Sequence, residues 1–393
     1  MLEGVLAVRA PAGAAENPCP VDGPDNYTLV MTDLALREFH RGLGARFCDV
    51  GGAAAVDDYG DPLAEHAALR DAVGVLDLSF RSRLCLLGAD RQKFLNGQVT
   101  NNVKDLRPGE GCYAALVNAK GRMQSDLNIY VLENEILLDF EAGLSAKVAQ
   151  RLEKYVIADD VQVAEIAPHY GLLSVQGPKS GEAARRLDLG IEPPTRRMSL
   201  DSWKDASLGE ICLINLPRTG SSGFDLFVPA EALGAVADRL IAAARTTGGR
   251  ACGWQALEMA RIEAGLPRFG VDMDETNLPL EAGLEERAIS YTKGCYIGQE
   301  VIARIRTYGH VARTLSGLRL ADQLAALPVK GDKLFKDGKE VGWVTSALAS
   351  PTFKANIALG YVRREANQVG SELMLRTAMG ESSARIVPLP FQA

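Results

Sequence analysis

The sequence predicts an α+β chain of more than one domain that ends in a small antiparallel β-barrel. Three observations lead there. Its 393 residues are enough for roughly two to three domains of ~100–200 residues each. Hydrophobic residues make up 47% and charged residues 24%, the balance of a globular chain. Helical and strand patterns mix as far as residue 310; beyond it, strand-like runs succeed one another with no long helix between them.

The first thirty residues are rich in Ala, Pro and Gly and lack periodicity, so 1–30 read as a flexible lead, 10–26 above all. No charged start runs into a sustained apolar core, so a secretory signal is not expected, and Met31 is an alternative start. Thr32 is placed to cap a helix through about Leu43. Asp61-Pro62 joins a capping carboxylate to a proline at the first helical position, and that helix should stop at Gly74. Strands follow at 75–79 and 82–87, and Asp90 can cap a further short helix. Residues 112–118 and 123–131 read as a hairpin around Ala119-Lys120-Gly121-Arg122. Alternation along its second strand puts Asp126, Asn128 and Tyr130 on one face and Leu127, Ile129 and Val131 on the other. The apolar face must enter a core, so the polar face meets solvent or lines a cavity. A carboxylate on a cavity wall anchors a polar ligand; an aspartate facing bulk solvent fits the same spacing.

Val148, Leu152 and Val156 give 144–157 the spacing of an amphipathic helix. Strands near 161–166 and 170–175 come next, then a helix opened by Pro178. Strands 211–216 and 224–228 flank the turn Arg218-Thr219-Gly220-Ser221-Ser222-Gly223. Helices are expected over 230–245 and from about Gly253 to Ala264, the second with Trp254, Leu257 and Arg261 on one face. An arginine there either serves an anion or buried carboxylate, or snorkels to solvent. Four β-like runs follow, 313–320, 341–346, 357–362 and 383–388, and the change of texture near 310 marks a domain boundary.

Composition also excludes functions. A net charge of −7 without a basic run argues against a nucleic-acid surface, though a small basic pocket for a polyanionic tail is compatible with it. No apolar stretch approaches the ~20 residues that span a bilayer. Cys19, Cys48, Cys85, Cys112, Cys212, Cys252 and Cys295 are scattered, without the spacing of a metal or redox pair. That favours a reducing, cytoplasmic setting and argues against a disulfide scaffold or a cluster held by this chain alone. His40, His66, His169 and His310 are isolated, so no metal site is expected.

The stretch Lys293-Gly294-Cys295-Tyr296-Ile297-Gly298-Gln299-Glu300 stands apart. Buried structural cysteines sit among apolar neighbours, whereas this one lies in a polar, glycine-punctuated segment. A thiol there is open to solvent, and a nearby lysine favours its thiolate. A glycine-capped loop with an idle cysteine fits the same residues. The segment resembles the K-G-C-Y-x-G-Q-E signature of the YgfZ family, folate-binding proteins that maintain iron–sulfur enzymes.

The resemblance widens to the aminomethyltransferase superfamily of glycine-cleavage T-proteins and YgfZ proteins. It rests on Phe94-Leu95-Asn96-Gly97-Gln98-Val99-Thr100-Asn101, Val175-Gln176-Gly177-Pro178, Arg261-Ile262-Glu263-Ala264-Gly265 and Pro279-Leu280-Glu281-Ala282-Gly283-Leu284. Near the end, Val341-Gly342-Trp343-Val344-Thr345-Ser346 resembles the family's barrel. The resemblance implies a three-domain cloverleaf ring: two interleaved α/β domains over 31–310, a Greek-key barrel over 311–393, and tetrahydrofolate in the central opening. It implies that Asp126 supports transfer beside the reacting ring nitrogen, and that Tyr113, Asn128 and Tyr130 line the folate site. Asp225 ends a shortened form of the family turn whose last carboxylate binds the pterin, and Arg261 matches an arginine that reaches the folate. Two functions are implied. One is iron–sulfur maintenance, with tetrahydrofolate bound, Cys295 reactive at the cavity edge, and iron–sulfur client or carrier proteins as partners. The alternative is aminomethyl transfer from a lipoyl carrier protein to tetrahydrofolate, with Asp126 handling the proton.

Overall fold

The structure, a computed structural model, describes residues 33–187, 189–190 and 192–392. The lead, Met31 and the Thr32 cap lie outside those residues. Five strands pair antiparallel in the order Glu110–Val117, Met123–Val131, Ile136–Phe140, Ser82–Leu87, Gln162–Glu165. A second sheet runs Leu200–Asp205, Gly209–Asn215, Gly223–Pro229, Tyr170–Gln176, Gly74–Asp77, Arg250–Ala251, parallel only in its last pair. The chain crosses from the second sheet to the first between Asp77 and Ser82, so the two units share sequence instead of following one another.

Side-chain alternation decides what each face meets. Leu127, Ile129 and Val131 enter a core with Leu84, Phe94, Val148 and Leu152, under the helices Arg91–Gln98 and Ser145–Glu153. The opposite face brings Cys85, Tyr130 and Leu137 against Leu172, Ile214 and Phe227 of the second sheet. The far face of that sheet is covered by Ser180–Arg185 and Leu233–Thr246 through Leu173, Val175, Leu226 and Leu240. The layers are therefore helices, sheet, sheet, helices, with the polar site at one end of the sheet–sheet contact.

The last strands close a barrel in the order Arg313–Leu320, Ala355–Arg363, Lys339–Ser350, Lys333–Lys336, Glu372–Thr377, Gly380–Val387. Closure leaves no free edge, and Leu318, Leu334, Val344, Val362, Leu375 and Ile386 fill the interior. The helix Trp254–Glu263 joins barrel to sheets: its Ile262 packs with Leu315, Ile357, Leu359 and Tyr361.

Two local expectations change. Asp61 does cap the helix Pro62–Asp71, accepting from the Ala64 amide at 3.0 Å, but the helix stops short of Gly74. Gly74 instead opens a strand, where a Cβ would stand 2.5 Å from Leu69 Cδ2 and 2.7 Å from Cys252 Sγ. Asp90 occupies the cap position of Arg91–Gln98, but its side chain makes no cap bond; the carboxylate accepts from the Asp160 amide at 3.0 Å.

Candidate functional site

A cleft of about 760 Å³, open to solvent, forms where the hairpin, the segment Leu216–Arg218 and the helix Trp254–Glu263 converge. The strand Met123–Val131 contributes Asp126 and Asn128, and the paired strand contributes Tyr113. Tyr113 Oη donates to Asp126 Oδ2 at 2.8 Å, a diagonal cross-strand contact. Asp126 Oδ1 is buried and has no hydrogen-bond partner. Burial, then the Glu141 carboxylate, push the Asp126 carboxyl up to about 6; the Tyr113 hydroxyl and Arg81 pull the other way without prevailing.

Behind Asp126 stands a buried charge network. Asp139 accepts from Arg81 Nε at 2.7 Å and from Arg218 Nη2 and Asn128 Nδ2, each at 2.8 Å. Burial alone would raise Asp139, but the two guanidiniums outweigh it and hold the carboxyl far below the usual range. Arg81 also donates to Glu141 Oε1 at 2.9 Å. Arg218 donates through Nε to Asp225 Oδ2 at 2.9 Å, and Ser174 Oγ donates to Asp225 Oδ1 at 2.6 Å. Charge-assisted bonds of this kind fix the side chains that make them. Asp126 stands in front of this network with one buried oxygen unpaired.

The helix Trp254–Glu263 presents Trp254, Leu257 and Arg261 to the cleft, and Glu258 with them. Arg261 donates to Glu258 Oε2 at 2.8 Å and Ser346 Oγ at 3.0 Å, and also pairs with Asp272. Arg268 lies over the Trp254 ring, and Arg287 over the Tyr113 ring.

The sequence-predicted residues thus separate. Asp126, Tyr113, Asn128 and Arg261 line one cleft. Tyr130 does not: it is fully buried between the sheets, edge-on to Phe227 at 6.2 Å. Asp225 does not either, since it is 1% exposed and saturated by Arg218 and Ser174. Sequence reasoning passed over Arg81, Glu141, Glu258, Arg268, Arg197 and Arg287, which also line the cleft. Glu258, one helical turn after Trp254, had a signal in the 3.6-residue period; the others come from loops, strand ends and, for Arg287, the four-residue helix Glu285–Ala288, and had none.

The octapeptide lies apart from the cleft. Cys295 is exposed and is not among the cleft residues. Lys293 is buried, and its ammonium donates to the carbonyls of Asn96, Val99 and Asn101 at 2.6, 2.7 and 2.7 Å. Those carbonyls surround the end of the helix Arg91–Gln98, so the lysine caps that end instead of activating the thiol. Gly294 is exposed, and Tyr296 is buried with its ring 4.8 Å from the lysine nitrogen. Gly298 has φ +83°, and a Cβ there would stand 2.5 Å from the Asn118 carbonyl oxygen. It opens the helix Gln299–Tyr308, with the acidic Glu300 in the first turn. Among the described residues, no group of His, Cys, Asp or Glu is placed to hold a metal ion, and no helix is long and apolar enough to cross a membrane.

Comparison with known proteins adds to this geometry. Residues 36–293 match the GCVT N-terminal domain and residues 313–392 the glycine cleavage T-protein C-terminal barrel domain. An aminomethyltransferase of Geobacillus kaustophilus is 30% identical over 349 residues, 88% of this chain and 95% of that one. Another, from Desulforamulus reducens, is 30% identical over 363 residues, 91% of this chain and 96% of its own. The crystal structure of glycine cleavage system aminomethyltransferase T from Bartonella henselae superposes with a TM-score of 0.81 at 24% identity, covering 92% of this chain and 98% of that one. The last match speaks for the fold, and the two domain matches together with the relatives carry the conclusion: the chain belongs to the glycine-cleavage T-protein superfamily.

Proposed function

We propose that this protein moves a one-carbon unit onto tetrahydrofolate from an aminomethyl group on a lipoyl carrier protein. One observation carries the reading: Asp126, on the cleft wall, has a buried oxygen without a partner and a carboxyl pushed up to about 6. The cleft suits a folate by its Trp254 and Tyr113 rings and by unsatisfied polar groups of both senses. Tetrahydrofolate, when bound, supplies the ring amine that attacks the aminomethyl carbon; as the new carbon–nitrogen bond forms, the bond from that carbon to the lipoyl sulfur breaks and the sulfur leaves on the carrier as a thiolate. Asp126 takes the proton that this nitrogen sheds, a general-base role suited to a carboxylate that titrates near the working pH. Tyr113 holds Asp126 Oδ2 and leaves Oδ1 facing the substrate. Purified protein, tetrahydrofolate and an aminomethyl-loaded lipoyl carrier test this directly. Turnover that Asp126→Asn reduces by about a hundredfold or more, the scale of general acid–base catalysis, is expected; absent turnover ends the reading.

A second reading, support of iron–sulfur enzymes in the cytoplasm as a YgfZ-type folate-binding protein, rests on one observation: the octapeptide presents Cys295 to solvent. Iron–sulfur client or carrier proteins would be its partners. In cells, Cys295→Ala should then lower cluster-dependent enzyme activity, and an undiminished activity removes this reading.

A further inference from the structure

The cleft holds two unsatisfied polar groups of opposite sense. Asp126 Oδ1 is buried and accepts nothing, while Arg268 Nε and Nη1 are buried and donate to nothing. Other arginines of the wall are already engaged: Arg81 with Asp139 and Glu141, Arg218 with Asp225 and Asp139, Arg261 with Asp272, Glu258 and Ser346. Arg268 has its guanidinium carbon 4.6 Å above the Trp254 ring. Its Nη1 stands 3.2 Å from Glu258 Oε1 and its Nε 4.0 Å from Glu141 Oε2, yet neither contact is a hydrogen bond. Buried donors left unmade are costly, and an unmade pair on a cavity wall points to a ligand that completes it.

Charge decides what that ligand brings. The carboxylates of Glu258 and Glu141 face Arg268, at 3.2 and 4.0 Å. A ligand carboxylate would sit against both of them and be repelled. A neutral carbonyl oxygen accepts the same hydrogen bonds without adding charge. The planar guanidinium, 4.6 Å above an indole, suits a planar acceptor. We propose that Arg268 recognises the ring oxo oxygen of a pterin-type lactam against the Trp254 wall. The inference rests on the folate reading above and deepens it. It moves ring recognition from Asp225, whose carboxylate is already engaged, to a residue with two buried donors unmade.

Tetrahydrofolate offers two kinds of oxygen, the ring oxo group and the amide and carboxylates of its tail, and binding separates them. Calorimetry on the full chain would compare tetrahydrofolate, tetrahydropterin (the ring without the tail) and tetrahydroaminopterin (an amino group in place of the ring oxo). The wild type should bind tetrahydrofolate at least tenfold more tightly than the 4-amino analogue, because a donor would then face donors. Arg268→Leu should weaken tetrahydrofolate and tetrahydropterin by the same factor, roughly ten- to a hundredfold for a bond to a charged group, and lose the discrimination against the analogue. Arg268→Lys, which keeps the charge but not the planar fork, should recover part of the affinity. A loss confined to tetrahydrofolate, with tetrahydropterin unchanged, would assign the oxygen to the tail and overturn the proposal, as would undiminished binding of both. A wild type that binds none of the three ligands would end the folate reading itself, and this inference with it.

Discussion

Replacing Asp126 with Asn should stabilise the protein at alkaline pH while removing its activity. The structure sets the size of the effect. Burial and Glu141 move the Asp126 carboxyl from the ordinary 3.8 to about 6. At about 1.4 kcal/mol per pH unit, its ionised form costs the folded state about 3 kcal/mol. The sign follows from linkage. Between those two values the folded chain holds the proton more tightly than the unfolded chain, so this group's contribution to stability falls as pH rises from about 4 to about 6. Asparagine never ionises, and its amide oxygen can still accept from Tyr113. The variant should therefore gain about 3 kcal/mol at pH 8 and only about 1 kcal/mol at pH 4.5. Urea unfolding of both proteins at the two pH values reads this directly. Any penalty for placing an amide in the site is independent of pH and cancels in the comparison. An equal difference at both pH values would refute the argument, because it would mean that the fold does not raise the Asp126 carboxyl above its ordinary range.

Three further outcomes are expected. The kcat/KM for aminomethyl transfer should fall about tenfold per pH unit below about pH 6, as Asp126 takes up its proton; a profile flat from pH 5 to pH 8 speaks against Asp126 as the base. Arg218→Met should destabilise the fold by about 3–5 kcal/mol, because it leaves the buried Asp225 without a cation and the buried Asp139 with Arg81 alone, and thermal or urea unfolding measures it. Lys293→Met, which deprives three carbonyls of their donor, should cost about 2–4 kcal/mol, whereas Cys295→Ser at its exposed position should change stability by under about 0.5 kcal/mol.

What was legible in the sequence followed from period and punctuation. The hairpin was, because Leu127, Ile129 and Val131 alternate with polar residues and a glycine turn precedes them. The helix carrying Trp254 and Arg261 was, because its apolar face recurs at helical spacing. Strand Ile136–Phe140 was not: it is buried on both faces, so alternation disappears. Leu200–Asp205 was missed for the opposite reason, since this edge strand is largely polar and exposed. At the site, Asp126 was found through its strand face. Tyr130 was misplaced because the same face runs out of the cleft into the contact between sheets within four residues. The fate of Asp225 was invisible, because no local pattern announces that Arg218, seven residues earlier, turns back to consume it.

The octapeptide shows why a motif and a mechanism need separate tests. Lys293 closes the end of the helix Arg91–Gln98. Gly298 lets the helix Gln299–Tyr308 approach the turn at Asn118, whose hairpin carries Asp126. Both residues therefore serve the placement of the cleft whether or not a thiol ever reacts. A loss of folate binding on substituting Lys293 or Gly298 would follow from either functional reading and would choose between them in neither direction. Cys295 differs, because it is exposed and borders no part of the cleft. Its replacement leaves the hairpin where it is, so a change in cluster-dependent activity without a change in aminomethyl transfer isolates the thiol. The converse pattern, from Asp126→Asn, isolates the carboxylate, and the two substitutions together divide the functions that one sequence motif would have merged.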